Sequence, residues 1–175
     1  MQILITGATG MVGGEVVRAA IADPEVDSVV AVSRRPLEGI EHPKLRVWLL
    51  ENFLDFSSVS EAFQTSNVCI WCLGTSQNKV NAEEYARITY DYTLAGARAM
   101  LGANPAIRMV FVSGKGADPT MKSRLLFARV KGKTEVALRE LPFQELIVAR
   151  PAGIQPVRPN PSAACQERMV YPFYP

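Results

Sequence analysis

Three glycines, Gly7, Gly10 and Gly13, stand between the apolar run Ile3-Leu4-Ile5 and a segment that carries Val16, Val17, Ala19, Ala20 and Ile21 at helical spacing. A strand that runs into a glycine-rich turn and then a helix is the context a phosphate-binding turn requires. Gly7 permits the sharp exit from the strand, Gly10 removes a Cβ where a pyrophosphate would approach, and Gly13 lets the helix close on the strand. Thr9, Met11 and Val12 fill the turn and the helix start, where free N–H groups and the positive end of the helix dipole favour an anion. The spacing is G-x-x-G-x-x-G rather than G-x-G-x-x-G.

The next residues with chemistry in them are Arg34 and Arg35, which follow the β-branched run Ser28–Ser33. At a distance of about twenty residues past such a turn, a carboxylate binds the ribose 2′-hydroxyl of NAD, whereas an arginine accommodates a 2′-phosphate. No carboxylate precedes Glu38, and a fork of donors suits a phosphate dianion. NADP(H) is therefore expected over NAD(H). Cys69 and Cys72 form a C-x-x-C on an apolar run, where an offset of three on a strand sends the side chains to opposite faces, so two buried thiols are expected rather than a metal or redox pair. His42 is the sole histidine and lies in a proline-flanked loop; no acidic cluster has ligand spacing, and no metal is expected.

The elements that must position these residues alternate along the chain. Strands are expected at the N-terminus, Ser28–Ser33, Leu45–Leu50, Val68–Leu73, Ile107–Ser113 and Phe143–Ala149. Helices are expected after the glycine turn, from Phe56 with Ser57 or Ser58 near its cap, over Asn81–Leu101 and from about Met121 to Glu140. Residues 36–43 are too short and too rich in breakers for a crossover helix. This alternation predicts an α/β fold, a doubly wound parallel sheet in strand order 3-2-1-4-5-6, built as a single Rossmann domain over residues 1–154. Ligands of such sheets lie outside the carboxyl ends of the strands, which brings Leu73, Gly74 and Thr75 into view.

At 175 residues with 48% hydrophobic and 21% charged, the chain can bury one core. A net charge of +2 gives no electrostatic footprint for nucleic acid or an acidic membrane. No apolar run reaches the ~20 residues that cross a bilayer. Three cysteines form no even framework, and no basic lead precedes the first strand, so a cytoplasmic protein is expected. Residues 155–175 change character to proline-rich and then aromatic.

The words Thr6-Gly7-Ala8-Thr9-Gly10 resemble the extended and atypical short-chain dehydrogenase/reductases. Ser33-Arg34-Arg35-Pro36, Cys72-Leu73-Gly74-Thr75, Lys115-Gly116-Ala117-Asp118, Lys131-Gly132 and Arg150-Pro151 extend the likeness, in order, to the Tat-interacting-protein, NmrA-like and epimerase-like branch. The resemblance implies that Asn52 and Phe53 take the place of an Asp-Leu pair at the adenine ring. It also implies that Leu73, Gly74, Thr75 and Pro151 line the cofactor site and that Lys131 binds the nicotinamide ribose. Members of that family use a tyrosine acid/base, a lysine four residues later and a serine at the end of the fifth strand. Here Phe127 occupies the tyrosine position and has no proton to give. Ser113 remains of a serine pair, with Gly114 beside it, and Thr89 stands where many relatives carry asparagine. Related proteins also continue for several tens of residues, so the C-terminal segment reads as a truncated substrate-side region, or as an apolar tail that docks on a partner or membrane surface.

Three functions are compatible with these residues. One is an NADP-dependent oxidoreductase or epimerase-like enzyme in which Tyr85, Tyr90, Ser113 or a water replaces the tyrosine. Another is a non-catalytic NADPH-binding sensor or scaffold that acts through a protein partner. The third is a remnant that folds but binds nothing well. The substrate is not legible.

Overall fold

The computed structural model describes residues 1–157. The chain runs β1 (Gln2–Thr6), α1 (Met11–Ala22), β2 (Ser28–Ser33), β3 (Leu45–Leu49), a 3-10 turn (Ser57–Val59), α2 (Ser60–Thr65) and β4 (Val68–Trp71). It continues with α3 (Ala82–Ala86), a π-helical turn (Arg87–Asp91), α4 (Tyr92–Ala103), β5 (Arg108–Val112), α5 (Leu126–Arg139) and β6 (Leu146–Ala149). The six strands form one sheet in the expected order β3-β2-β1-β4-β5-β6. Every pairing is parallel.

The central strands are apolar without alternation because both of their faces are covered. Leu4 pairs with Val30 on one side and Cys69 on the other. These side chains, with Trp71, Met109 and Phe111, belong to the core shared with Phe63, Ala97, Met100 and Leu138 of α2, α4 and α5. Their neighbours Ile3, Ile5, Val29 and Ala31 belong to a second core with Val17 and Ala20 of α1. The approach of α4 to the sheet depends on Gly96, where a Cβ would lie 2.4 Å from the Trp71 ring. Residues 36–43 form a loop, as expected, and it lends Ile40 to the α1 side of the core.

Several boundaries differ from the sequence reading. The expected helix at Met121 begins only at Leu126, because Met121 adopts φ 59°. The Asp118 carboxylate holds that turn by accepting from the backbone N–H groups of Thr120 at 2.9 Å and Ser123 at 2.7 Å. Neither Ser57 nor Ser58 caps the helix after β3: the cap position is Phe56, without a side-chain cap bond, Asp55 Oδ1 accepts from Ser57 N–H at 2.9 Å, and the first turn is 3-10 rather than α. Asn81 is a cap as expected, its Oδ1 accepting from Glu84 N–H at 2.8 Å. The long helix it opens is interrupted by the π-helical turn around Thr89. β4 stops at Trp71, which leaves Cys72 and Leu73 in the loop beyond. Of the C-terminal segment expected at 155–175, residues 158–175 lie outside the described residues.

On the α1 face of β4, β5 and β6 the sheet is less covered, with Ile147 49% exposed. A hollow lined by Met1, Ile3, Val68, Arg108, Val110, Glu145 and Ile147 lies there, towards the amino ends of the strands and away from the glycine turn.

Candidate cofactor site

At the carboxyl end of β1, Gly7 takes φ +66°, and a Cβ there would stand 2.6 Å from the Cys72 carbonyl. Both the backbone angle and the space demand glycine. Gly10 N–H closes the turn on Gly7 O at 2.9 Å. A Cβ at Gly13 would come within 2.2 Å of the same oxygen, so α1 packs directly on the turn. α1 opens at Gly10 with no side-chain cap, the arrangement in which first-turn N–H groups stay available to an anion. Met11 and Val12 are half-buried in that first turn, and Thr9 and Gly10 are exposed. The turn therefore fits a pyrophosphate: a helix start without a side-chain cap, reached over a turn in which positions 7, 10 and 13 carry no Cβ.

Beside it, β2 ends at Ser33, which is buried and accepts from Arg35 N–H at 3.3 Å. Arg34 and Arg35 are exposed. Register places them just past the pairing of Thr6 with Val32, next to the glycine turn. Among the described residues neither guanidinium has an ion-pair or hydrogen-bond partner. Asn52 is exposed, its Oδ1 accepting from Leu54 N–H at 3.0 Å. Phe53 does not present its ring to a ligand: it is 1% exposed and packs edge-on against Phe56 with centroids 5.7 Å apart. With that side chain committed to the core, the backbone of Phe53 is what it can offer at an adenine.

Past β4, Leu73 N–H donates to Thr6 Oγ1 at 3.3 Å, which ties this loop to the end of β1. Gly74 follows with open space around it, and Thr75 is half-buried. Cys69 is fully buried as expected, and burial raises its thiol pKa. Cys72 is only partly buried; desolvation pushes it up to about 11 against the pull of Lys131. Neither thiol supplies a thiolate near neutral pH.

The expected catalytic residues converge on α5 and the end of β5, but their groups are already engaged. Phe127 and Lys131 share a helix face at i, i+4. Phe127 lies against the glycine loop, since a Cβ at Gly116 would be 3.5 Å from its Cζ and one at Gly114 3.6 Å from its Cε2. Its backbone N–H donates to Gln77 Oε1 at 3.0 Å. Lys131 Nζ donates to Val112 O at 2.8 Å and sits 4.8 Å from the Phe111 ring centre. Desolvation lowers this ammonium to about 8, against the opposing charge of Glu135. Ser113 Oγ donates to Glu135 Oε1 at 2.6 Å, so its proton points to a carboxylate. Tyr85 is 3% exposed with its phenol pKa raised by burial, and Tyr90 has Lys133 Nζ 4.1 Å from its ring centre. Thr89 is buried in the π-helical turn, where its carbonyl accepts from Thr93 Oγ1 at 2.8 Å.

Two residues that the sequence reading left without a role hold this corner together. Glu135 is fully buried, and Arg150 donates to it through Nε at 2.9 Å and again through Nη2. Arg139 Nη2 adds a third cationic contact at 3.4 Å. These charges and the Ser113 hydroxyl hold the Glu135 carboxyl below its ordinary pKa, against the opposing effect of burial. Pro151, next along, accepts through its carbonyl from Lys115 N–H at 2.8 Å. The Lys115–Asp118 loop in turn rests on Gly132, where a Cβ would lie 1.9 Å from Asp118 O. The available signal was the order of the words K-G-x-x-E and R-P; nothing in one sequence pairs their charged ends. Among the described residues no group of three or more potential ligands could hold a metal ion.

A parallel sheet in this order, with a glycine turn and an uncapped helix at its switch point, is a Rossmann dinucleotide-binding domain. The chain belongs to the NAD(P)H-binding family, whose model matches residues 7–150. Protein HTATIP2 of Rattus norvegicus is 31% identical over 153 residues, covering 86% of this chain and 61% of that protein. The mitochondrial protein fmp52 of Emericella nidulans is 27% identical, covering 87% of this chain and 66% of its own. The chain thus spans about two thirds of the length of these relatives. Among solved structures, a nucleoside-diphosphate-sugar epimerase from Agrobacterium tumefaciens superposes with TM-score 0.74 at 18% identity, over 98% of this chain and 58% of that one. A short-chain dehydrogenase from Burkholderia cenocepacia, in complex with NADP, gives 0.69 at 19%, over 91% and 77%. Family and relatives together bear out the atypical short-chain dehydrogenase/reductase assignment.

Proposed function

We propose that the protein binds NADP(H) in preference to NAD(H) and that its described residues do not carry out the tyrosine-dependent proton transfer of short-chain dehydrogenases. The observation behind the preference is the pair of exposed guanidiniums of Arg34 and Arg35 at the end of β2, which have no partner among the described residues. In this reading Gly7, Thr9, Gly10, Met11, Val12 and Gly13 receive the pyrophosphate. Asn52 and the backbone of Phe53 border the adenine, while Leu73, Gly74, Thr75 and Pro151 line the nicotinamide side. Lys131 holds the ribose. Bound NADPH would supply a hydride; the chain's own part is to bind and orient it. Two of the side chains that could give a proton are committed elsewhere, Ser113 to Glu135 and Tyr85 to the core. A sensor or scaffold that reports cofactor state through a protein partner follows from that arrangement.

The affinity ratio of NADP⁺ to NAD⁺, measured by calorimetry in the wild type and in Arg34→Ala/Arg35→Ala, tests the preference. The wild type should favour NADP⁺ by tenfold or more, on the order of 1.4 kcal/mol, and the double variant should bind both alike. Equal affinities in the wild type would refute it. We place the protein in the cytoplasm, a compartment in which Cys69 and Cys72 stay reduced; fungal relatives carry "mitochondrial" in their names, and cell fractionation decides. No helix among the described residues is long and apolar enough to cross a membrane.

A further inference from the structure

We propose that Glu135 is a positioning residue for the nicotinamide half of the dinucleotide site, acting through Arg150, Ser113 and Lys131. The proposal rests on the reading that this site binds a dinucleotide. A fully buried carboxylate is costly unless it is paired, and Glu135 is paired on several sides. Ser113 reaches it from the end of β5, Arg150 from the end of β6 and Arg139 from its own helix. The contact therefore bolts together the carboxyl ends of two neighbouring strands and α5 at one point.

What hangs from that bolt is the nicotinamide side of the cleft. Lys131 lies one helical turn before Glu135, and its ammonium is held on the Val112 carbonyl, one residue from Ser113. Arg150 leads straight into Pro151, whose carbonyl anchors the glycine loop through Lys115 N–H. The strand order sets the ends of β5 and β6 apart from Arg34 and Arg35 at the end of β2, which serve the other half of the ligand. Loosening the bolt should therefore act on one half only. A purely structural glutamate would act on both.

The test compares two ligands on the full chain: NADPH, and adenosine 2′,5′-bisphosphate, which carries only the adenine half. In Glu135→Gln the affinity for NADPH should fall on the order of tenfold, as expected for one lost charge-assisted contact, while that for the bisphosphate stays within about twofold. Arg150→Lys should reproduce the same split, because it loses the two-pronged contact while keeping a cation opposite the buried carboxylate, so this variant keeps the fold and carries the test if Glu135→Gln does not. A parallel loss of both ligands, or a loss of neither, would overturn the proposal. Failure of the bisphosphate to bind the wild type would instead remove the dinucleotide reading beneath it.

Discussion

Gly13 rests on the carbonyl of Gly7: a Cβ at position 13 would stand 2.2 Å from that oxygen. The atoms in the way are backbone, so the structure cannot yield cheaply. Gly13→Ala should cost about 2–3 kcal/mol of stability, overpacking at its upper range, and lower the melting temperature by roughly 4–12 °C for a domain of this size. At Gly10 the same probe atom meets only Gly7 O, at 3.1 Å. Gly10→Ala should therefore fold nearly as well as the wild type yet bind NADPH more weakly. Thermal denaturation beside a binding titration separates the two.

Lys131 provides a test on the alkaline side. Desolvation lowers its pKa from 10.5 to about 8. Between those values the unfolded chain holds a proton that the folded chain has released, so this group's contribution to stability rises with pH across that window. Below pH 8 the buried charge is a standing cost. Lys131→Met should accordingly stabilise the free protein at pH 7, by an amount on the order of 1–2 kcal/mol once solvent screening is allowed for, and the gain should shrink towards pH 10.5. Chemical denaturation at both pH values gives the comparison, and the same variant should bind NADPH less well.

Phe127→Tyr restores a phenol on the helix face that carries Lys131. The new hydroxyl would extend from Cζ, which already lies beside Gly116, towards a loop residue exposed to solvent. The variant should fold with a stability change within about 0.5 kcal/mol, as for substitutions at accessible positions. NADPH oxidation with small aldehydes and quinones should be undetectable in the wild type and measurable in the variant. Turnover at ordinary enzyme rates in the unmodified chain would show that another group moves the proton.

Much of the fold was legible because the apolar runs of β1 and β2 and the breakers between elements leave few alternatives. The strand order followed from the alternation taken together with the glycine turn after β1. What escaped was set by contacts distant in sequence or by side chains competing for backbone groups. Met121 to Leu125 looks helical until Asp118 claims the N–H groups of Thr120 and Ser123. The burial of the Phe53 ring in the core aromatic cluster could not be read from its neighbours in sequence. At the site, the glycines and arginines announce themselves by local spacing. Glu135 and Arg150 are 15 positions apart and meet only after β6 has joined the sheet.

Asp118 can be tested through the turn it holds. Its carboxyl pKa is lowered, first by the Thr120 hydroxyl and then by backbone N–H groups. Such a group contributes stability above its unfolded value, and the contribution is lost as pH falls through the folded one. Asp118→Ala should speed amide hydrogen exchange at Thr120 and Ser123 while leaving β1 and β4 protected. Unchanged exchange at those two amides would mean that the turn is held by other contacts.

The most direct test of the central claim is a fluorescence titration of the purified chain with NADPH and, separately, NADH, following nicotinamide emission and quenching of Trp48 and Trp71. The account predicts saturable, selective NADPH binding that Arg34→Ala weakens by roughly tenfold. Absence of binding by either nucleotide at millimolar concentration would contradict it, and would make the glycine turn a structural feature only.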